Sequence, residues 1–572
     1  MRLVSELRRR GVFRMAVLYG VAAWLILQVA DVLIDLAKLP DWIGTTTLGL
    51  LAVGFPITIV LAWAFDLTPK GFKREKDILG DGKSTAIPDI PEQSVAVLPF
   101  VNMSSDPNQE YFSDGITEEI LDQLAQIRGL EVPGRTSTFA FKGKNEDLSV
   151  ISAKLNVAHV LEGSVRKAGN RVRITVQLLK VSDGFHLWSK TFDRNLTDIF
   201  SIQEEIAKAV AKALSITLGV GEGELGQGGT RNFDAYDAYV AGVSLARQSG
   251  MDITVRAIEQ LEKAVALDPD YAQAWSALAT TYGGAADFFI AERTEELYKK
   301  ADAAASRAIE IAPEAVASLQ AAAEIDTHNH DWIRVEHSLE TALQIAPANY
   351  QSNMQYGLLL LTLGRPKAAI NSFQRAAMTE PLLLSPILHL GWAYVVNTDF
   401  DMGSKQFKRC EGLIGNQMFR HISILVLGMQ LGDRVLMDEA LENLLTASDL
   451  PPNQRLLIST MASKLDSPDS ARTELHRLYA DPALALPMSR ASIATWASFF
   501  GDPELALKIY RELSESSGFK MFMLWRPLEK EMRRLHGFKD YVRELGLADY
   551  WLSSGKWGDF CRPVGDEDFE CR

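Results

Sequence analysis

Hydrophobic positions follow three successive rhythms along this chain. Met15 to Ala30 is apolar and uncharged, with Asp31 and Asp35 closing the run before Leu36, and Trp42 to Phe65 holds no charged residue at all. A helix needs about 20 apolar residues to cross a hydrocarbon core. The spacing therefore predicts two spans, about 15–36 and 43–65, turned by the short connector Lys38-Leu-Pro-Asp41. Trp24, Trp42 and Trp63 stand near the ends, where indoles anchor, and Asp31 and Asp35 read as interfacial carboxylates. Arg8, Arg9 and Arg10 precede the first run as in a signal peptide, but no small-x-small cleavage site follows.

The second rhythm runs from Ser94 to Leu218. Val95 to Phe100 reads as a buried strand, Ser104 to Pro107 as a turn, and Ser113 and Asp114 as caps of a helix carrying Glu118 and Glu119 in its first turn. A helix over 148–155 follows. Three apolar runs at 159–165, 172–181 and 185–192 are separated by Gly169-Asn170 and Asp183-Gly184, pairs suited to hairpin turns. Ile202, Ile206, Val210, Leu214 and Leu218 lie four apart, which predicts a closing helix. Together these elements make a small α/β domain.

The third rhythm is helical and repeats. Pro269, Pro313, Pro347 and Pro381 end equivalent phrases, the last three spaced by 34 residues, the period of a tetratricopeptide repeat. Counting back from each proline, one register holds Ala257, Ala301, Val335 and Ala369. A second holds Leu261, Ala305, Leu339 and Phe373, and a third holds Ala264, Ala308, Ala342 and Ala376. Small residues let paired helices approach while larger ones fill the gap. The register weakens after Gly415, yet Cys410 falls on a small-residue packing position.

Charge sharpens the picture. The net charge is −14, but residues 1–76 carry ten basic and six acidic side chains, so the body is strongly acidic. An acidic body argues against a nucleic-acid partner. Basic flanks on both sides of the two spans, with only Lys38 between them, predict a bacterial inner-membrane hairpin with both termini cytoplasmic. Of three cysteines, Cys561 and Cys571 are able to pair, although a reducing compartment is the simpler reading.

Candidate chemistry is sparse. Gly82-Lys-Ser-Thr85 resembles the end of a phosphate loop but has Asp77 where a glycine is needed and Pro88 and Pro91 in place of a helix. Asp106, Asp114, Glu118 and Glu119 are explained by capping and dipole matching without a metal. His159, His186 and Trp188 sit in strand-like runs, and Arg135 with Thr136-Ser-Thr138 reads as a hydrated turn. His328, His330 and His337 cluster without a completing cysteine or carboxylate. No catalytic, cofactor-binding or metal residue is assigned, and no cofactor is expected.

Ala96-Val-Leu-Pro-Phe100, Tyr111-Phe-Ser-Asp-Gly115, Leu161-Glu-Gly-Ser-Val165 and the segment from Leu187-Trp-Ser189 to Phe192-Asp193 resemble the TolB-like amino-terminal domain family. That resemblance implies an accessory module without a catalytic set, of the kind found beside tetratricopeptide arrays, class III adenylate cyclase domains or winged-helix domains. The expected fold class is multidomain: a transmembrane α-hairpin, a small α/β (TolB-like) domain and an all-α tetratricopeptide solenoid. The expected bounds are 1–76 anchor, 77–93 linker, 94–218 α/β domain, 219–232 Gly-rich linker, 233–415 repeats, 416–556 degenerate repeats and cap, and 557–572 acidic tail. The expected role is a membrane-anchored, non-enzymatic scaffold with a protein or peptide in the solenoid groove, lipid at the hairpin and no nucleic acid. Adenylate cyclase, a cyclase-associated protein or a membrane-bound transcription regulator are the alternatives.

Overall fold

The computed structural model describes residues 90–572 apart from 126, 128, 215–228, 249–250, 289–293, 449, 516–520 and 566–567. Within 1–89 it describes only 23, 28, 46, 49, 51, 55, 65–68 and 71–74. Residues 1–89 and 90–572 form two compact units.

In the first unit, β1 (Phe65–Thr68) and β2 (Gly71–Arg74) pair antiparallel, Phe65 opposite Arg74. Phe65, expected to end the second span, instead opens a strand. Among the described residues no helix is long and apolar enough to cross a membrane. This overturns the expected two-span inner-membrane location with cytoplasmic termini: an uncharged stretch is necessary for a span but does not make one. Most of 15–36 and 43–65, with Asp31, Asp35 and 82–85, lies outside the described residues.

The second unit is mostly helical, with a small α/β part first. Its sheet runs β3 (Val95–Val97), β5 (His159–Ala168), β6 (Arg171–Lys180), β7 (His186–Asn195), and β4 (Val101–Asn102) continues β3 along the same edge of β5. Pro99 lacks an N–H and interrupts this edge. The following Phe100 N–H turns away to the Thr117 hydroxyl at 3.0 Å. Positive φ at Gly169 and Gly184 makes the two hairpin turns.

Helix α1 (Glu110–Ala125) precedes α2 (Arg135–Phe139) and α3 (Leu148–Leu155), and α4 (Ile199–Ala213) follows β7. Ile116, Ile120 and Leu124 of α1, with Ile202, Ile206 and Val210 of α4, cover Val97, Val165, Val172 and Ile174 on one sheet face. Ile151 and Leu155 of α3 bury Ala96 on the other. Two expectations change here. Because α1 begins at Glu110, Ser113 and Asp114 lie inside the helix and do not cap it. The 135–138 segment is a helical turn, not a hydrated loop.

Among the described residues, sixteen helices come next in succession, and all but the seventh couple pack against each other as pairs. They are α5/α6 (Phe233–Ala246, Met251–Leu267), α7/α8 (Ala272–Phe288, Thr294–Ile311), α9/α10 (Val316–His328, Trp332–Ile345) and α11/α12 (Tyr350–Thr362, Pro366–Thr379). Then follow α13/α14 (Leu384–Val396, Phe400–Arg409), α15/α16 (Gln417–Leu431, Arg434–Thr446), α17/α18 (Pro452–Ala462, Pro468–Ala480) and α19/α20 (Pro487–Phe499, Pro503–Glu515). The register positions are core: Ala257, Ala264, Ala301, Ala308, Ala342, Ala369, Phe373 and Ala376 are all 0 % exposed. Gly357, on α11, faces Phe373 so closely that a Cβ would fall 2.6 Å from its ring. This glycine is required by close approach. The result is a tetratricopeptide-like solenoid, in which each pair buries its apolar face against its neighbours.

Short 3₁₀ turns at Met521–Trp525 and Pro527–Glu529 lead into α21 (Lys530–Arg533), α22 (His536–Glu544) and α23 (Leu547–Ser554). Residues 557–572 are acidic, as expected, but they are not a solvated tail. Strands β8 (Cys561–Val564) and β9 (Asp568–Cys571) pair, a Cys561–Cys571 disulfide joins them, and Phe569 is fully buried. The pairing left open for Cys561 and Cys571 is the arrangement found.

Candidate functional site

Two places bring together residues far apart in the sequence. The first is a seam between the α/β part and the array. Its middle is α1 against α5: Gly115 meets Val240 where a Cβ would stand 2.3 Å from the valine Cγ1. Phe112 and Phe233 touch edge to face at 6.1 Å, and Lys167 lies over both rings. Tyr111 donates to Asp237 at 3.0 Å. Glu118 pairs with Arg135 at 3.2 Å and with both terminal nitrogens of Arg247. The end of the expected glycine linker also belongs to this fold. Asn232 accepts the N–H groups of Asp234 and Ala235 to cap α5, and Thr230 bonds Asp268. Residues 219–228 lie outside the described residues.

Glu119 shares this seam. Burial, then the Asp122 and Glu118 carboxylates, push its carboxyl up to about 8. Burial and the neighbouring Arg247 charge lower Arg135 from its ordinary value. Asp114 does not join Glu118; it binds Lys142 at 2.6 Å.

A second arm of the seam comes from the loop after α12. Glu380, 3 % exposed, accepts the backbone N–H groups of Thr136 at 3.0 Å and Ser137 at 2.7 Å. Burial raises its carboxyl, although these hydrogen bonds oppose the shift. Gly134 donates to the Thr379 carbonyl at 2.7 Å, and Leu382 N–H donates to Ser137 Oγ at 3.1 Å. A Cβ at Gly134 would strike the Glu380 carboxylate at 2.3 Å. So the Thr136 and Ser137 N–H groups bind a carboxylate, and it is a side chain of the same molecule.

The second place is the surface built by the first helices of the pairs, where a solenoid offers its groove. From α11 to α19 the chain fills it with its own last residues. Trp525 donates its indole N–H to the Thr362 carbonyl at 2.8 Å. Arg526 stacks over Trp392 and donates to Thr495 at 3.1 Å and Tyr510 at 3.0 Å, while pairing with the fully buried Glu529. Outside that surface, on the second helix α10, Trp332 donates to Leu545 O at 2.7 Å, and Glu336 accepts from Tyr550 at 2.8 Å. The expected peptide in this part of the groove thus meets an occupied surface.

The remaining candidates stay apart. His328 stacks on Tyr298 at 3.5 Å and His330 on Trp332 at 5.6 Å. Among the described residues no group of three His, Cys, Asp or Glu is placed to hold a metal. His159 Nδ1 lies 3.1 Å from Ser94 O, His186 is exposed, and Trp188 packs half-buried against the sheet core. Cys410 is buried, which pushes its thiol up to about 12. Glu380, Arg247, Trp525 and Arg526 carried no signal in the sequence, because their partners lie in other segments.

Residues 91–209 match the family described as HilA/YgeH-like transcriptional regulator, second domain, a description different from the TolB-like resemblance read on the same residues. A protein of Rhizobium meliloti (strain 1021) named "Putative adenylate cyclase 3" is 40% identical over 213 residues, which is 37% of this chain. The chain spans about a third of that relative, 36% of its length. Solved structures are also similar. A tetratricopeptide repeat protein from Parabacteroides merdae has 12% identity and TM-score 0.32, covering 53% of this chain and 99% of its own. PilF of Pseudomonas aeruginosa has 17% identity and TM-score 0.30, covering 40% and 98%. A thermophilic repeat protein of Thermus thermophilus has 16% identity and TM-score 0.28, covering 33% and 95%. The solenoid assignment itself rests on the buried helix-pair register of this chain.

Proposed function

We propose that this chain is a non-enzymatic scaffold that recruits protein partners, with its α/β part fixed to the helical array as one working body. We keep the bounds 94–218 for the α/β part and 233–556 for the array and its cap. The observation that carries the reading is the two-armed seam: Glu118–Arg247 at one end and Glu380 on the α2 backbone at the other. Such a seam would transmit a change in the α/β part to the array. Partners would bind where the array is not filled by its own residues. A cleft of about 560 Å³ lined by Leu507, Lys508, Arg511 and His536 is one such place.

The test uses the full chain. Incubated with ATP and Mg²⁺ or Mn²⁺, it is expected to form no cyclic AMP, and crosslinking in cell extract is expected to join partners to the array. Cyclic AMP formed by the purified chain would overturn the non-enzymatic reading. Crosslinks confined to 94–218 would move recognition to the α/β part.

A second reading has a specific observation behind it. The relative named as an adenylate cyclase shares a segment covering 36% of its length. On this reading the shared segment is accessory, and the chain works beside a cyclase that it regulates. A regulator of transcription is the corresponding reading of the HilA/YgeH-like description.

A further inference from the structure

We propose that the β8–β9 hairpin is a redox-operated clasp, and that it occupies a site which, once freed, binds a partner segment carrying an Asp-Phe pair. This goes beyond the scaffold reading and is tested on the purified chain alone.

Cys561 and Cys571 stand at paired positions of the two strands and are bonded. The hairpin reaches the array through two aromatic rings, each preceded by an aspartate: Asp559-Phe560 and Asp568-Phe569. Phe560 stacks on Trp525 at 5.3 Å, and Phe569 meets Trp551 edge to face at 6.0 Å. Cations surround these rings. Arg533 lies over Phe560 at 5.4 Å, and Lys539 and Arg543 over Phe569 at 5.6 and 5.4 Å. Lys539 and Arg543 also bind the Asp568 carboxylate at 3.0 and 2.9 Å. Trp551, Lys539 and Arg543 thus read an aspartate followed by a phenylalanine, while Trp525 and Arg533 hold the second ring alone. Trp525 and Trp551 are both 0 % exposed with the hairpin in place. Its backbone is held as well: Asp559 N–H donates to Gly364 O at 2.8 Å, and Arg533 to Arg572 O at 3.0 Å.

A two-stranded ribbon of four-residue strands does not hold itself together in water. The disulfide keeps the strands paired by limiting the freedom of the undocked chain. Cys561 is buried, whereas Cys571 is partly open to solvent. A glutathione-class thiolate would therefore attack Cys571 Sγ, break the S–S bond and release Cys561 as a thiolate, which takes up a proton. A second thiolate of the same class attacks the sulfur of the glutathione half of the mixed disulfide. It leaves Cys571 as a thiol and the reductant as a disulfide, two electrons having passed to the protein. The freed hairpin then competes with any partner for the tryptophans.

The probe is a fluorescein-labelled peptide with the sequence of residues 565–570, Gly-Asp-Glu-Asp-Phe-Glu. It is expected to bind the glutathione-reduced chain, and the Cys571→Ser chain, at least about tenfold more tightly than the oxidised chain. Replacing its phenylalanine with alanine, or making Lys539→Glu with Arg543→Glu in the protein, should abolish binding. Thiol trapping shows when both cysteines are free, and hydrogen exchange of residues 557–572 reads release without any partner. Equal peptide binding to oxidised and reduced chains would overturn the clasp. Full reduction with unchanged protection of the hairpin, or a bond that glutathione does not open, would make the disulfide purely structural. Undocking without peptide binding would overturn the Asp-Phe site.

Discussion

Glu380 accepts the backbone N–H of Ser137 at 2.7 Å across 243 positions of sequence. The contact ties α2 to the loop after α12, while Glu118 and Arg247 tie α1 to α5. Together they determine whether the α/β part is a tethered module or a fixed one. Replacing Glu380 by alanine leaves one buried and one half-buried N–H group without this acceptor, at a cost of about 1–3 kcal/mol. A protease cut engineered between residues 215 and 228 should leave both fragments associated in size-exclusion chromatography. With Glu380→Ala and Arg247→Glu together, the cut chain should separate. Separation of the cut wild-type chain would show that the seam does not hold.

The sequence carried the array well and the seam poorly, for one physical reason. Helix pairing leaves a periodic record, because Ala257, Ala301 and Ala369 are buried at one register on helices that pack on the helix just before them in the chain. The seam leaves none, because Glu380 serves N–H groups whose identity is irrelevant to its own neighbours. The hairpin was hidden differently. Its surface charges made 557–572 read as a solvated tail, while among its described residues only Cys561 and Phe569 are buried. The two apolar stretches misled in the opposite direction: hydropathy, end tryptophans and basic flanks set the expectation of spans, and among the described residues no helix is long and apolar enough to make one.

Gly115 and Val240 offer a test of packing in the seam. A methyl at Gly115 would overlap the Val240 side chain, and a β-branched residue on a helix has little freedom to turn aside. Gly115→Ala should therefore destabilise by about 1–3 kcal/mol. Val240→Ala alone leaves a small void, costing about 1–2 kcal/mol. The double variant should be more stable than the sum of the singles predicts, read as a double-mutant cycle in urea. Strict additivity would mean that α1 and α5 do not touch in solution.

Glu119 gives the seam a pH dependence. Burial and two neighbouring carboxylates raise its carboxyl from 4.5 to about 8. The folded chain then holds this proton more tightly than the unfolded chain, so stability falls as pH rises from the unfolded value towards the folded one. The contribution is most favourable below about 4.5 and fully lost above about 8. Glu119→Gln should remove the decline: little change at about pH 5, and a higher urea midpoint than wild type at about pH 9. Glu119 is only half-buried, so the gain is screened to about 1–2 kcal/mol. A Glu119→Gln chain with the same pH profile as wild type would assign the decline to another group.

Arg526 and Glu529 test whether the filled groove is held by charge or by packing. Their side chains are 3% and 0% exposed. Arg526 also uses Thr495 and Tyr510, and Tyr510 in turn donates to Glu529 at 3.1 Å. Removing one member strands a buried charge. Glu529→Gln should cost about 3–5 kcal/mol and expose the last residues to protease before the helix pairs melt. Replacing both, Arg526→Met with Glu529→Leu, removes two desolvated charges and retains apolar volume against Trp392, so the loss should be far smaller. Peptide cleavage within 521–572, followed by mass spectrometry, reads the difference directly. If the double variant is as labile as Glu529→Gln, the ion pair itself holds the segment in the groove. If it resists cleavage, Trp525 and its aromatic neighbours hold the segment, and the pair serves to fix which residues enter.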